Sequence, residues 1–160
     1  MATVARPGWR TRGYIPHCDR AGLVQHVVYR ASAQLPDDVL TDPDCAAAAE
    51  EPIRHFSDQR YRLHAWCVMP DHVHVLIGPL EDWTLGAIVR SWKAYSAAKL
   101  NRRLGRSGRF WAADYFDRYL RNDSQLSAAA RYIERNPVAA GLCDSPGEWE
   151  FSSAFKGGRA

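Results

Sequence analysis

The sequence predicts an α+β fold: a ferredoxin-like antiparallel sheet with two helices on one face, plus a further C-terminal helix. Three observations predict it. Strand-like and helix-like segments follow one another in the order β-α-β-β-α-β-α. Two apolar runs, RLHAWCVM (62–69) and HVHVLIGP (72–79), are separated only by Pro70 and Asp71, the signature of a tight hairpin between antiparallel neighbours. Finally, 160 residues with 46% hydrophobic and 24% charged content suit one compact domain and are too few to expect two.

The elements follow in chain order. Residues 1–21, rich in Arg, Gly and Pro, read as an irregular basic arm free to touch a partner, ahead of a core spanning 22–153 and a tail at 154–160. LVQHVVYR (23–30) has the β-branched content of a first strand. After QLPDD, the segment from Val39 to about Arg60 suits a helix in which Pro52 is a kink or a break. The hairpin strands come next. From Thr84 the spacing of Leu85, Ile88, Val89, Trp92, Tyr95 and Ala98 is helical, and it continues to about Leu104, where GRSGR breaks it. DYFDRYLR (114–121) alternates aromatic and charged residues as a half-exposed strand does. Asn122, Asp123 and Ser124 then supply turn and N-cap chemistry for a third helix, expected to stop at Asn136 because Pro137 follows.

Charge and cysteine usage exclude several classes. A formal net charge of +3 permits a polyanionic partner without requiring one. Its distribution says more: Arg90, Lys93, Lys99, Arg102, Arg103, Arg106 and Arg109 lie in a stretch without Asp or Glu, which is either a local positive field or a solvated helix face. Cys18, Cys45, Cys67 and Cys143 contain no CxxC spacing and read as reduced thiols. No apolar run reaches the roughly 18 residues of a membrane span, so a cytoplasmic protein is expected. Trp66, Trp92 and Trp111 read as core, and Trp9 as the freest tryptophan.

The chemistry concentrates in two places. Side chains two apart on a strand share a face, so His72 and His74 project together and can chelate one ion. Six histidines in 160 residues give such a pair by chance about 0.2 times, so the alternative, two histidines satisfied by polar neighbours under a helix, stays open. On the third helix, Tyr132 and Asn136 are four apart and share a face beside an apolar stripe of Leu126, Ala129, Ala130 and Ile133. Docked by that stripe, the helix presents a phenol and an amide oxygen towards the sheet, and an amide oxygen suits Mg²⁺ or Mn²⁺. Taken singly, Tyr132 reads as a packing aromatic and Asn136 as a helix cap. Asp71 can bond a ligand imidazole, although a turn-forming role is the preferred reading.

MPDHVHVLI (69–77), FWAADYFDRYLRND (110–123), YIERNPVAAGL (132–142) and EWEFSS (148–153) together resemble the REP-associated tyrosine transposases, the domesticated bacterial branch of the single-tyrosine HUH transposases. The resemblance runs from about Arg12 to Ser153. It implies that His72 and His74 are the HUH pair, that Asn136 is the third metal ligand, and that Tyr132 is the nucleophile carried by the C-terminal helix. The implied reaction is metal-assisted cleavage and rejoining of single-stranded DNA beside a hairpin. It would proceed through a 5′-phosphotyrosine, with Mg²⁺ or Mn²⁺ as cofactor.

Lys93, Arg102, Arg103, Arg106, Arg118 and Arg121 are the candidate DNA contacts. Two other readings stand beside this one. The first is a DNA-hairpin-binding module that has lost its chemistry; the second is a metal hydrolase of small phosphoesters in which water attacks. Monomer and homodimer both fit, and the short linker before Ser124 favours a monomer acting in cis. A cytoplasmic, nucleoid-associated location follows from a DNA partner.

Overall fold

The computed structural model describes residues 23–157 in full, and residues 9–12 and 15–18 as backbone. The arm is not wholly irregular. Trp9–Arg12 (β1) and Ile15–Cys18 (β2) pair antiparallel, Trp9 opposite Cys18 and Arg12 opposite Ile15. The rest of the arm, the last three residues of the tail, and the side chains of Trp9 and Cys18 lie outside the described residues.

The central sheet contains Gln25–Arg30 (β3), Tyr61–Val68 (β4), His72–Pro79 (β5) and Phe116–Tyr119 (β6) in the order β4-β5-β3-β6, every neighbouring pair antiparallel. Pro43–His55 (α1) and Leu85–Leu104 (α2) cover one face, and Asp123–Ala139 (α3) docks on the other. The fold class read from the sequence is therefore the one observed.

The alternation along β5 divides the core. Val73, Val75 and Ile77 join Val27, Tyr29, Ile53, Ile88 and Trp92 beneath α1 and α2. Leu76 joins Ala65, Cys67 and Ile133 beneath α3, with Leu126, Ala129 and Ala130 packed against them. The apolar stripe foreseen on α3 is thus its docking face. A central strand buried on both sides has no need of polar alternation, which explains the nearly continuous apolar run after His74.

Three element boundaries differ from expectation. The helix expected over Val39–Arg60 is a 3-10 turn at Val39–Thr41 followed by α1, which ends at His55. Pro43 disfavours a helical Asp42, and the freed Asp42 carboxylate caps the new helix by accepting from the Asp44 N–H at 2.8 Å. Pro52 lies buried inside α1 and does not break it. The strand expected over 114–121 shortens to Phe116–Tyr119, because the Asp114 carboxylate accepts from the Tyr115 N–H at 2.8 Å and turns the chain just before it.

α3 also continues past Pro137 to Ala139, where it was expected to stop at Asn136. A proline this near a helix end removes one backbone hydrogen bond, and the Ala140 N–H still reaches the Asn136 carbonyl at 3.0 Å. Asn136 therefore sits within the last turn of the helix and is not its cap.

α2 matches expectation closely. Thr84 accepts from the Ala87 N–H at 3.2 Å, and Gly105 ends the helix at φ 64°, a left-handed conformation that a side chain disfavours.

The terminal EWEFSS segment fastens α3 to the edge of the sheet. The Trp149 indole donates to the Val68 carbonyl at 2.9 Å, the Val68 N–H donates to Phe151 O at 2.8 Å, and the Ser153 hydroxyl reaches the Glu134 carboxylate on α3 at 3.1 Å.

Candidate active site on the helix-three face of the sheet

Register decides which side chains meet. β3 pairs with β5 so that His26 faces Leu76, Val28 faces His74 and Arg30 faces His72; β3 pairs with β6 so that Val28 faces Phe116 and His26 faces Arg118. Directly opposed residues share a sheet face. His26, Arg30, His72, His74, Phe116 and Arg118 therefore lie on the α3 side, out of phase with core residues Val27 and Tyr29.

His72 and His74 converge: their Nε2 atoms stand 3.1 Å apart. Each imidazole is held from its other nitrogen. His72 Nδ1 contacts the Asp71 carboxylate at 2.6 Å, and His74 Nδ1 contacts His26 Nε2 at 2.9 Å. Asp71 thus serves the imidazole as well as the hairpin turn, with Arg30 on its second oxygen at 3.8 Å.

From α3 the Asn136 amide reaches His74 Nε2 at 3.3 Å, and the Tyr132 ring lies 5.9 Å from that of His74 and 6.0 Å from that of His26. Tyr132 is 59% exposed, whereas His74 is 5% exposed. Clefts of about 480 Å³ and 430 Å³ flank the phenol and share His26, Phe116 and Tyr132 in their walls.

Burial shapes the charge state of the cluster. It pushes His74 down to about 3, helped by His26, His72 and Arg30, and pushes His26 down to about 4, helped by Arg118. Both rings are neutral near neutrality and keep a lone pair each.

The unfolded chain takes up these protons below about 6.5, whereas the fold refuses them until about 4 and 3. Stability is therefore whole above pH 6.5 and declines as the pH falls towards 4. Thermal melting in chelator between pH 7.5 and 4.5 checks this, and His26→Gln, with one such group fewer, is expected to show a shallower decline. Equal slopes in the two proteins would exclude His26 as a source of acid lability.

The donor set fits a divalent ion. Two nitrogens bound at ~2.1 Å in neighbouring positions stand about 3 Å apart, which the His72–His74 separation matches, and a half-turn of the Asn136 amide would present its oxygen as a third donor. Among the described residues no three His, Cys, Asp or Glu side chains gather into a cation cluster, so the candidate set is two imidazoles and an amide.

The basic residues singled out from the sequence divide differently. Arg118 is exposed, faces the site and lines the smaller cleft with Tyr132. Arg121 is exposed at the end of β6, its guanidinium over the Tyr119 ring. The α2 group lies across the sheet. Lys93 Nζ donates to the carbonyls of Ala112 and Asp114 at 3.0 and 3.1 Å, Arg103 pairs with Asp42 and Asp44 at 3.2 and 3.3 Å, and Arg106 donates to Asn101 at 2.7 Å. Arg102 is exposed on the same helix. Lys93 also lines a groove of about 350 Å³ with Arg90 and Arg109, and this groove shares Ala112 and Tyr115 with the larger of the two clefts beside Tyr132.

His26, Arg30 and Phe116 are not among the residues that the sequence singles out. The alternation of LVQHVVYR already put His26 and Arg30 off the core side, but their pairing with the histidine strand is a matter of long-range register. Trp92 and Trp111 are buried as expected, and Trp66 is half-buried with its indole donating to Glu50 at 2.9 Å.

Residues 23–136 match the profile of the family described as "Transposase IS200 like". The chain belongs to the IS200-like transposase family. A Haemophilus influenzae protein whose name assigns it provisionally to the REP-associated tyrosine transposases is 27% identical over 99 residues; the match covers 56% of this chain and 56% of that relative. The chain thus spans little more than half of the curated relative it matches.

Two solved structures share the fold. A REP-associated tyrosine transposase bound to a REP hairpin superposes with a TM-score of 0.65 at 20% identity, covering 90% of this chain and 81% of the other. A Deinococcus radiodurans protein provisionally named a transposase superposes with a TM-score of 0.51 at 23% identity, covering 79% of this chain and 95% of its own. Among the described residues of this family member, no helix is long and apolar enough to cross a membrane.

Proposed function

We propose that the chain is a metal-dependent single-stranded DNA endonuclease and strand transferase that cleaves and rejoins DNA at hairpin-forming palindromic repeats, using Tyr132 as nucleophile. One observation carries the reading. The facing Nε2 atoms of His72 and His74, with the Asn136 amide beside them, lie next to an exposed phenol on a helix packed against the same sheet face. Family membership supports DNA as the substrate, and the hairpin-bound fold relative supports a hairpin as its form.

His72, His74 and Asn136 would hold Mg²⁺ or Mn²⁺. When bound, the ion supplies Lewis-acid polarisation of the scissile phosphate. Tyr132 Oη forms the bond to phosphorus and the P–O3′ bond breaks. The phenol gives up its proton and the departing 3′ oxygen gains one. The product is a 5′-phosphotyrosine and a free 3′-hydroxyl, so the number of phosphoester bonds is conserved. Attack by a 3′-hydroxyl on that linkage releases Tyr132 and rejoins or transfers the strand.

The exposure of Tyr132 suits a polymer laid across the surface better than a small phosphoester enclosed in a pocket. In the proposed reaction Tyr132 acts in cis, on the same chain as the histidines that it borders.

The test is incubation of a single-stranded palindromic-repeat hairpin with the protein and Mn²⁺. A denaturant-resistant protein–DNA adduct and a free 3′-hydroxyl fragment are expected. Hairpin binding without an adduct would instead favour a binding module, and turnover of a model diester without an adduct would favour a water-using hydrolase.

The placement of the cations gives a separate prediction. Arg118→Ala is expected to weaken DNA binding several-fold and to lower the salt slope by about 1. Arg103→Ala, which removes the ion pairs to Asp42 and Asp44, is expected to leave both unchanged. Affinity measured across a salt series separates them, and the reverse pattern would put the strand on the α2 face.

A further inference from the structure

We propose that His26 is the positioning residue of the metal site: it accepts the Nδ1–H of His74 and so leaves the His74 Nε2 lone pair facing that of His72. This rests on the proposed metal-dependent reading and adds to it a residue from a different strand, outside the His72–Val73–His74 motif.

A 2.9 Å contact between two ring nitrogens holds one proton, and its ownership has consequences at the opposite edge of the ring. If His26 donates through Nε2, His74 accepts at Nδ1, carries its own proton on Nε2, and points an N–H at His72 Nε2, 3.1 Å away. In that tautomer His74 cannot ligate. If His74 donates through Nδ1, its Nε2 is a lone pair, and the pair of Nε2 atoms becomes a two-nitrogen donor.

Asp71 imposes the second pattern on His72. A carboxylate 2.6 Å from Nδ1 accepts only, so His72 Nδ1 carries a proton and, in the neutral ring, Nε2 is the lone-pair nitrogen. His26 is placed to do for His74 what Asp71 does for His72. Ligating imidazoles commonly donate their other N–H to such an acceptor, which fixes tautomer and ring orientation.

The rest of the fold holds His26 in place. It lies opposite Leu76 on β5 and opposite Arg118 on β6, within the sheet and not on a loop. Its ring stands 5.2 Å from that of His74 and 6.0 Å from that of Tyr132, so one side chain touches the histidine that would bind the ion and borders the phenol. A shift of the His74 ring would also be felt by Asn136, whose amide meets the same Nε2 at 3.3 Å.

The experiment is Mn²⁺ binding to the full chain by electron paramagnetic resonance, without DNA, for the wild type and the variants His26→Leu, His26→Gln and His72→Ala. His26→Leu removes the acceptor and is expected to weaken binding about 10- to 100-fold. His26→Gln, whose amide oxygen can accept the same proton, is expected to recover most of that loss, which a merely space-filling role would not produce. Undiminished binding by His26→Leu alongside loss in His72→Ala would overturn the assignment to His26 alone. Undiminished binding by His72→Ala would overturn the metal site itself.

Nitrogen-15 NMR of the wild type with Zn²⁺ gives a readout independent of how well the variants fold. A proton on His74 Nδ1 is expected, and a proton on His74 Nε2 would overturn the proposal.

Discussion

Tyr132→Phe is expected to abolish the covalent adduct and reduce strand cleavage by on the order of 10³-fold or more, because in the proposed reaction its phenol supplies the attacking oxygen. The fold has little reason to respond. Tyr132 is 59% exposed, and phenylalanine keeps the ring that faces His26 and His74. Melting temperature within about 2 °C of wild type and hairpin affinity within about twofold are therefore expected, following the usual small effect of surface substitutions. Gel-resolved adduct formation with an end-labelled hairpin, alongside a binding isotherm, makes the comparison. Cleavage at an undiminished rate would remove Tyr132 from the chemistry.

His74→Ala is expected to reduce cleavage as severely, but by another route and at a cost in stability. The imidazole is 5% exposed and meets His26 at 2.9 Å, His72 at 3.1 Å and Asn136 at 3.3 Å. Removing it deletes one of the two nitrogen donors of the proposed metal site and leaves His26 without its partner in a partly buried site. A buried polar group stripped of a hydrogen bond costs about 1–3 kcal/mol. Denaturant unfolding in chelator measures that loss, and cleavage titrated with Mn²⁺ measures the other. Wild-type protein in chelator should show the catalytic loss without the loss of stability. Metal-independent cleavage by His74→Ala at the wild-type rate would contradict the role of the pair.

Much of this site could be read from local pattern. Alternation alone put His72 and His74 on one face, and Pro70–Asp71 set the hairpin that starts their strand. Helical spacing separated Tyr132 and Asn136 from the stripe of Leu126, Ala129, Ala130 and Ile133, and that stripe is the docked face of α3. These are short-range properties of a two-residue and a 3.6-residue period.

What was not legible depended on contacts between distant segments. His26 lies 48 residues from His74, and only the β3–β5 register brings them together. The α2 cations looked unopposed because no acid stands near them in sequence, yet Arg103 finds Asp42 and Asp44 across the helix pair. The local propensity of Pro137 would end α3 at Asn136, but a helix fastened through Ile133 and the Trp149 segment overrides it. EWEFSS was recognisable as a motif, but its work as a clamp on Val68 and Glu134 needed the sheet edge to be seen.

Mass spectrometry of the trapped adduct asks whether a tyrosine of this chain cuts the strand. The protein is incubated with a palindromic-repeat hairpin and Mn²⁺, digested with protease and nuclease, and the modified peptide is sequenced. The expected result is a nucleotide joined through its 5′-phosphate to Tyr132. A nucleotide on another residue, or cleaved DNA with no modified peptide, would contradict it.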